Sequence, residues 1–181
     1  KDIFAVGDCA QKRDFVTRAR VSTMLASTAC AEARIAGMNL FALNVVKTFS
    51  GTIAMYSTAI GDTGFGTAGI TEARAIAEGI DTVTGTFEGI DRHPGNLPGA
   101  HKQLVKLVVA RQAGVIIGGE VIAGLSAGEL TNVIGLIIQN RMSVNSLLTA
   151  QIGTHPCLTA SPAGYPLIKA AEIIAGKIRI K

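Results

Sequence analysis

The apolar and polar positions of the chain follow two different patterns, one before and one after about residue 50. In the first part, a short apolar run predicts a buried strand at 2–6, and the stretch 22–43 predicts a helix rich in Ala. Ser22 or Ser27 is the candidate cap of this helix. Its apolar positions recur at helical spacing and are mostly small: Leu25, Ala29, Ala33 and Ala36. We therefore expect a strand, a polar basic loop and a closely packed helix.

The second part predicts an alternation of strands and short helices. Strands are expected at 52–60, 81–91, 102–110 and 115–122, and helices at 71–79, 125–139, 143–148 and 167–176. The turn at 112–114 predicts a hairpin between the last two strands. The pair Gly118-Gly119 indicates a bulge or a close backbone approach in the second of them. The Gly- and Thr-rich stretch 61–69 predicts a loop.

These patterns predict an α+β fold, in which an antiparallel sheet with packed helices is preceded by a strand–helix remnant of another domain. The predicted division is 1–48 for the remnant and 49–181 for the second domain. A length of 181 residues suits one sizeable core with a piece of another. Because the chain opens inside an apolar strand without a leading turn, we expect it to be a fragment.

Composition and charge narrow the functional classes. The formal net charge is only +4, without a dense Lys/Arg cluster, and aromatic residues make up 4%, so we expect no nucleic-acid partner. The sequence has no apolar run of membrane-spanning length, so we expect neither a signal peptide nor a membrane partner. Cys9, Cys30 and Cys157 fit neither a disulfide framework nor a zinc site, which predicts a cytoplasmic protein without a metal. We expect Cys9 and Cys30 to be buried.

A carboxylate at the end of the first predicted strand is the main candidate for chemistry. Gly7-Asp8 follows the apolar run, and the carboxyl ends of strands are where α/β folds bind ligands. Glycine permits a tight turn there, and the following helix would direct its positive amino end at the same crevice. On these two residues alone, an ordinary strand-to-turn Asp is the favoured interpretation.

A longer string changes that interpretation. The run 2–10 (DIFAVGDCA), together with 25–29 (LASTA) and 34–39 (RIAGMN), closely resembles the second flavin-binding motif of the pyridine nucleotide–disulfide oxidoreductase family, especially its NADH oxidase and coenzyme A-disulfide reductase branch. The resemblance implies that Asp8 binds the ribityl chain of FAD and that the backbone at the start of the helix faces the flavin ring carbonyl. The implied cofactor-binding residues are Gly7, Asp8, Leu25, Ala26, Ser27 and Thr28.

The remainder of the chain resembles the dimerisation domain of the same family, in the strand at 104–108, the hairpin around Gly118 and the helix after Gly124. The resemblance therefore implies that 1–48 is the remnant of a flavin-binding α/β domain and that 49–181 is the dimerisation domain. A homodimer is thereby implied, and the exposed apolar helix positions expected to form it are Leu125, Val133, Leu136 and Ile137. No Gly-x-Gly-x-x-Gly turn follows a strand. Gly64, Gly66 and Gly69 match that spacing in the wrong setting, and we expect a surface loop or dimer contact there.

The resemblance implies a carboxy-terminal fragment of an FAD-dependent NAD(P)H oxidoreductase that passes electrons to oxygen or to a disulfide or sulfur acceptor. The remainder of its own polypeptide would hold the FAD pyrophosphate, NAD(P)H and the redox cysteine, so the fragment alone is expected to be inactive. Two alternatives stay open. One is a non-catalytic homodimerising α+β module with a vestigial flavin motif, and the other is a dihydrolipoamide-type reductase.

His155-Pro156 is the second candidate for chemistry. In related disulfide reductases a His-Pro near the carboxy terminus serves as acid/base at the partner subunit's active site, oriented by a Glu five residues later. Here that position is Ala160, so the catalytic role of His155 lacks its carboxylate, and a loop His that supports the dimer interface is the alternative. Tyr165 would contact the partner's substrate or pack at the interface.

Overall fold

The computed structural model describes residues 3–42 and 49–179, and the chain divides into two compact units, Lys1–Ala54 and Met55–Lys181. The first unit consists of a 3-10 turn at Gly7–Cys9, a short antiparallel pair β1 (Lys12–Arg13) and β2 (Arg20–Val21), and the helix α1 (Ala26–Met38). Asp14 Oδ1 accepts the backbone N–H groups of Val16 and Thr17 at 2.9 and 2.8 Å, which closes the loop between the two strands. The predicted polar loop therefore contains a small hairpin.

Several predictions for this unit are wrong. Residues 3–6 form no strand and Ile3 is 94% exposed, because no described segment pairs with them and an unpaired strand leaves its backbone groups unbonded. The helix begins at Ala26, after Leu25, and neither Ser22 nor Ser27 caps it. The helix ends at Met38 and is followed by Asn39, so it is shorter than predicted at this end too, and residue 43 itself lies outside the described residues.

The cysteines of the first unit also differ from expectation. Cys9 and Cys30 are both exposed and free, rather than buried. Most of α1 is exposed, and Thr28 is its only buried residue among those the structure describes. The small side chains of the helix, which predicted close packing, therefore face no large core within this unit.

The second unit is a five-stranded antiparallel sheet in the order β3-β4-β7-β6-β5. The strands are β3 (Met55–Ile60), β4 (Thr63–Gly69), β5 (Thr82–Ile90), β6 (Lys102–Ala110) and β7 (Val115–Ala123). The helices are α2 (Glu72–Ala77), α3 (Ala127–Gln139), α4 (Val144–Leu148) and α5 (Pro166–Arg179). The predicted α+β class is thus confirmed, with helices packed on an antiparallel sheet.

The predicted hairpin is present as β6 and β7. Val108 pairs with Gly118 and Val109 with Ile116, so Ile117 is the extra residue of a bulge. A Cβ at Gly118 would lie 1.9 Å from the carbonyl oxygen of Ile70, which explains why glycine stands there. Both expectations for the Gly118-Gly119 pair are confirmed.

The predicted loop at 61–69 is wrong, because most of it is the strand β4, which lies between β3 and β7. Its glycines face α3. A Cβ at Gly66 would lie 1.8 Å from Thr131 Oγ1, and one at Gly64 would lie 2.7 Å from Ala127 Cβ. The glycines therefore permit close packing of a helix, and they form neither a surface loop nor a phosphate-binding turn.

The helices α3 and α5 cover one face of the sheet. Buried side chains of that face include Val105, Leu107 and Val121. The opposite face is covered in part by α2, whose Glu72 bonds Lys106 of β6, and is open elsewhere, where it carries Tyr56 at 50%, Ile60 at 71% and Ile122 at 42% exposure. No helix in the described part of the chain has the length and apolar character needed to cross a bilayer.

The outward side of α3 retains part of its predicted apolar surface. Leu125, just before the helix, is 98% exposed and Leu136 is 58% exposed, whereas Val133 is half-buried. The expectation for Ile137 is wrong, because it is 4% exposed and belongs to the core. It follows Leu136 by one residue, and that 100° step along the helix turns it toward the sheet.

Candidate functional site

The turn that carries Gly7 and Asp8 is fixed by a pair of charged side chains. The Gly7 N–H donates to Glu32 Oε2 at 2.8 Å, and Lys12 Nζ donates to the Gly7 carbonyl oxygen at 2.5 Å. Lys12 and Glu32 bond each other at 2.7 Å. Both polar groups of the Gly7 backbone are therefore held, in a conformation with φ of +74° that favours glycine.

The Asp8 side chain is exposed, and among the described residues its carboxylate has no hydrogen-bond partner. A Cβ at Gly7 would lie 3.6 Å from the Cβ of Ala29, in the first part of α1. The structure thus brings Gly7 beside the amino-terminal part of the helix, and Asp8 is the next residue. An ionised carboxylate in that position can accept hydrogen bonds from a ligand hydroxyl.

The start of α1 offers backbone donors. Leu25 has extended dihedrals, φ −136° and ψ 128°, and no side chain caps the helix. The first N–H groups of a helix have no intrahelical partner and carry the positive end of the helix dipole, so Ala26, Ser27 and Thr28 can bind an anionic or carbonyl oxygen through their backbones.

The side chains of this first turn differ in what they can do. Thr28 is 6% exposed, and its Oγ1 lies 2.6 Å from Thr52 Oγ1, so its hydroxyl is already bonded. Ser27 is exposed. Ser27 is therefore the side chain of the first turn with a hydroxyl accessible to a ligand.

His155 lies in an exposed loop of the second unit. Its Nδ1 accepts the backbone N–H of Cys157 at 3.2 Å, and its own backbone N–H donates to Thr159 Oγ1 at 3.0 Å. Ala160 is 3% exposed and supplies no carboxylate. The imidazole is therefore oriented by its own loop, in the tautomer that leaves Nε2 as the donor.

Two further features were not foreseen from the sequence. The first is the pair formed by the buried Lys12 and the largely buried Glu32, because a Lys in a polar loop and a Glu in a helix normally indicate solvated positions. The second is a cluster around Lys106, whose Nζ lies 2.7 Å from Glu72 and 3.5 Å from Glu120. The hydrogen bond from Lys106 lowers the pKa of the Glu72 carboxyl below its ordinary 4.5, and the same bond raises the pKa of Lys106 above 10.5.

The Lys106 cluster borders a depression of about 450 Å³ on the open face of the sheet. Its apolar lining comes from Tyr56, Phe65, Leu104 and Ile122. Across residues 3–42 and 49–179, no group of three His, Cys, Asp or Glu side chains is arranged to hold a metal ion.

Comparison with known proteins gives a consistent family. The model of the dimerisation domain of pyridine nucleotide-disulphide oxidoreductases matches residues 55–163. The chain is 25% identical, over 99% of its length, to an NADH oxidase of Methanocaldococcus jannaschii, of which it covers 39%. The water-forming NADH oxidase of Lactobacillus brevis, solved with bound NADH, superimposes with a TM-score of 0.85 at 25% identity, covering 98% of this chain and 38% of the other.

A NAD-dependent persulfide reductase from A. fulgidus superimposes with a TM-score of 0.84 at 25% identity, covering 96% of this chain and 32% of the other. The chain therefore spans less than two fifths of the length of each of these three proteins.

Proposed function

Since the chain belongs to the pyridine nucleotide-disulphide oxidoreductase family and contains its dimerisation domain, we propose that it is the carboxy-terminal part of an FAD-dependent NAD(P)H oxidoreductase of the NADH oxidase type. In the whole protein, electrons from NAD(P)H would pass to oxygen or to a disulfide or sulfur acceptor. The remainder of the polypeptide would bind the FAD pyrophosphate and NAD(P)H, so this chain alone would be inactive and bind FAD feebly.

One observation carries the proposal: the Gly7-Asp8 turn is held beside the amino-terminal part of α1, which is uncapped. These residues fit FAD, because a free carboxylate suits the hydroxyls of its ribityl chain and a helix amino end suits a ring carbonyl oxygen. FAD, when bound, supplies the hydride acceptor. Asp8 would orient the ribityl chain, and the N–H groups of Ala26, Ser27 and Thr28 would stabilise negative charge on the ring carbonyl.

A matched pair of variants tests this site in the whole protein. Asp8→Ala should weaken FAD binding about tenfold to a hundredfold, because a charge-assisted hydrogen bond contributes about 1.5–3 kcal/mol. Asp62→Ala is the control, since Asp62 also follows a glycine of positive φ and is exposed, but it lies in the turn between β3 and β4. The measurements are the FAD dissociation constant and the rate of NADH oxidation.

The outcomes separate the proposal from its alternative. A yellow whole protein that oxidises NADH, with binding weakened by Asp8→Ala alone, is the expected result. A colourless and inactive whole protein would support the alternative, a homodimerising module with a vestigial flavin motif. Equal effects of the two substitutions would mean that Asp8 does not contact the cofactor.

We also propose a homodimer formed through the outward side of α3. Leu125 and Leu136 are exposed there, and apolar side chains of this size on a helix surface favour an interface. Leu136→Lys should convert the dimer to a monomer in sedimentation at micromolar concentration. Ile76→Lys is the control and should leave the dimer intact, because Ile76 is likewise an exposed apolar residue of a helix, α2, at 66% exposure. A dimer unaffected by Leu136→Lys would place the interface elsewhere.

Two smaller assignments remain proposals. A reducing, cytoplasmic setting is supported by three free, exposed cysteines.

For His155 we propose support of its loop rather than acid/base catalysis, because its Nδ1 is bonded to the Cys157 N–H and Ala160 replaces the carboxylate. His155→Asn in the whole protein should lower kcat by less than the roughly hundredfold lower limit of general acid–base catalysis.

A further inference from the structure

The pair formed by Lys12 and Glu32 is unusual for so small a unit. Their side chains are 3% and 12% exposed, although charged side chains are rarely buried to this degree. Removing two charges from water is costly, and apolar residues of similar volume often give equal or greater stability. Stability alone is therefore a poor explanation for these residues.

Both side chains also bond the same residue. Glu32 Oε2 accepts from Lys12 Nζ and from the Gly7 N–H, while Lys12 Nζ donates to Glu32 and to the Gly7 carbonyl oxygen. The three groups form a closed arrangement, which we call the Gly7 clamp. It joins the turn to α1, since Glu32 lies within that helix.

The clamp restricts a backbone that would otherwise be mobile. Glycine has more conformational freedom than any other residue, and Gly7 lies directly before Asp8. With its N–H and its carbonyl both bonded, Gly7 cannot rotate freely, and the direction of the Asp8 side chain is restricted with it. Asp8 itself has no partner among the described residues that would do this.

We propose that Lys12 and Glu32 are positioning residues that hold Asp8 ready for the ribityl hydroxyls of FAD. This inference rests on the proposed function, because it assumes that FAD binds at Asp8. Neither side chain needs to touch the cofactor. Their effect is to lower the ordering cost of the turn on binding, which appears as affinity.

The test replaces the clamp without leaving an unpaired charge. In the whole protein, the double variant Lys12→Met/Glu32→Leu removes both bonds to Gly7 and should weaken FAD binding about tenfold, with the thermal midpoint of the apo form unchanged or raised. Glu32→Gln keeps an acceptor but not the charge, and should weaken binding by a smaller factor, about threefold. Arg74→Met/Glu78→Leu removes an exposed ion pair of α2 and is the control, which should leave FAD affinity unchanged.

Visible circular dichroism of the bound flavin is the second readout, because a displaced Asp8 changes the surroundings of the cofactor whereas a loss of stability alone does not. If the folded double variant binds FAD with the affinity and the dichroism spectrum of the parent, the positioning role of the Gly7 clamp is wrong and the proposed function still stands. If the double variant does not fold, a Glu32→Gln variant with the FAD affinity and dichroism of the parent would equally contradict the positioning role. A whole protein that binds no FAD would overturn both.

Discussion

Replacing Gly66 by alanine adds only one methyl group, but it should destabilise the second unit strongly. Gly66 lies on β4, on the face that α3 covers. A Cβ built there lies 1.8 Å from Thr131 Oγ1, 3.1 Å from Thr131 Cβ and 3.4 Å from the Ala127 carbonyl oxygen. The first of these distances is far inside van der Waals contact, so an atom must move.

The magnitude follows from what Thr131 can do. It is 3% exposed, and its hydroxyl donates to the Ala127 carbonyl oxygen at 2.7 Å. Rotating the hydroxyl away from Gly66 would break that bond inside the core, which costs about 1–3 kcal/mol. Moving α3 away from the sheet instead would loosen the packing beside it, and overpacking of this kind costs about 1–3 kcal/mol. We expect Gly66→Ala to reduce the free energy of unfolding by about 2–3 kcal/mol.

Urea denaturation followed by far-ultraviolet circular dichroism measures this change. Gly128→Ala is the matched control, because Gly128 lies in α3 with nothing within 4 Å of its Cβ position. Since alanine has the higher helix propensity, this substitution should increase the free energy of unfolding by as much as about 1 kcal/mol. The double variant Gly66→Ala/Thr131→Ala removes the hydroxyl from the contact, so its loss should be smaller than the sum of the single losses. Additive losses, or a Gly66→Ala variant as stable as the parent, would refute the proposed contact.

Three further predictions concern single side chains. Glu72→Gln should lower the free energy of unfolding by at most about 1 kcal/mol, since the ion pair with Lys106 is partly exposed. Because the pKa of Glu72 is lowered, this loss should be complete above pH 4.5 and should disappear as the pH falls below it. Urea denaturation of parent and variant across that pH range measures it. Burial raises the pKa of Tyr165 above 10.0, so the ultraviolet difference spectrum between the parent and Tyr165→Phe should show Tyr165 ionising above pH 10, and the free energy of unfolding should fall as the pH rises above 10. A Tyr165→Phe variant with the same alkaline stability profile as the parent would contradict this. Gly7→Ala should lower the free energy of unfolding by about 1 kcal/mol, because Gly7 has a φ of +74°, and should also weaken FAD binding in the whole protein. Gly37→Ala is the control, since a Cβ at Gly37 on α1 meets nothing within 4 Å, and it should neither destabilise the protein nor weaken FAD binding.

The second unit was largely predictable because its signals are local. The turn at 112–114 specifies the hairpin, and the apolar runs on either side specify β6 and β7, with β6 at its predicted bounds. The stretch 61–69 was not predictable in the same way. Its glycines lower strand propensity, and the reason for them, α3 packed on β4, comes from residues about 65 positions away.

The first unit was less predictable, since its contacts join distant residues. The strand expected at 2–6 was inferred from an apolar run, but a strand forms only when a neighbouring strand bonds its backbone. The Gly7 clamp depends on Lys12 and on Glu32, twenty residues later, and neither residue type in its own segment indicates burial. The resemblance predicts a cofactor contact for Asp8, which stays a prediction, but nothing in the sequence indicates which residues hold the turn.

The chain contains two Gly-Asp pairs, and they differ in the residues that surround the glycine. Gly61-Asp62 has a glycine of positive φ, as Gly7-Asp8 does, and open space around its Cβ position. It joins β3 to β4, and a turn that only reverses the chain needs nothing more than the φ that glycine permits. At Gly7-Asp8, in addition, a largely buried ion pair bonds both the N–H and the carbonyl oxygen of Gly7. Since burying those charges adds little stability, the arrangement supports the proposal that Lys12 and Glu32 hold the Asp8 carboxylate in place beside the start of α1.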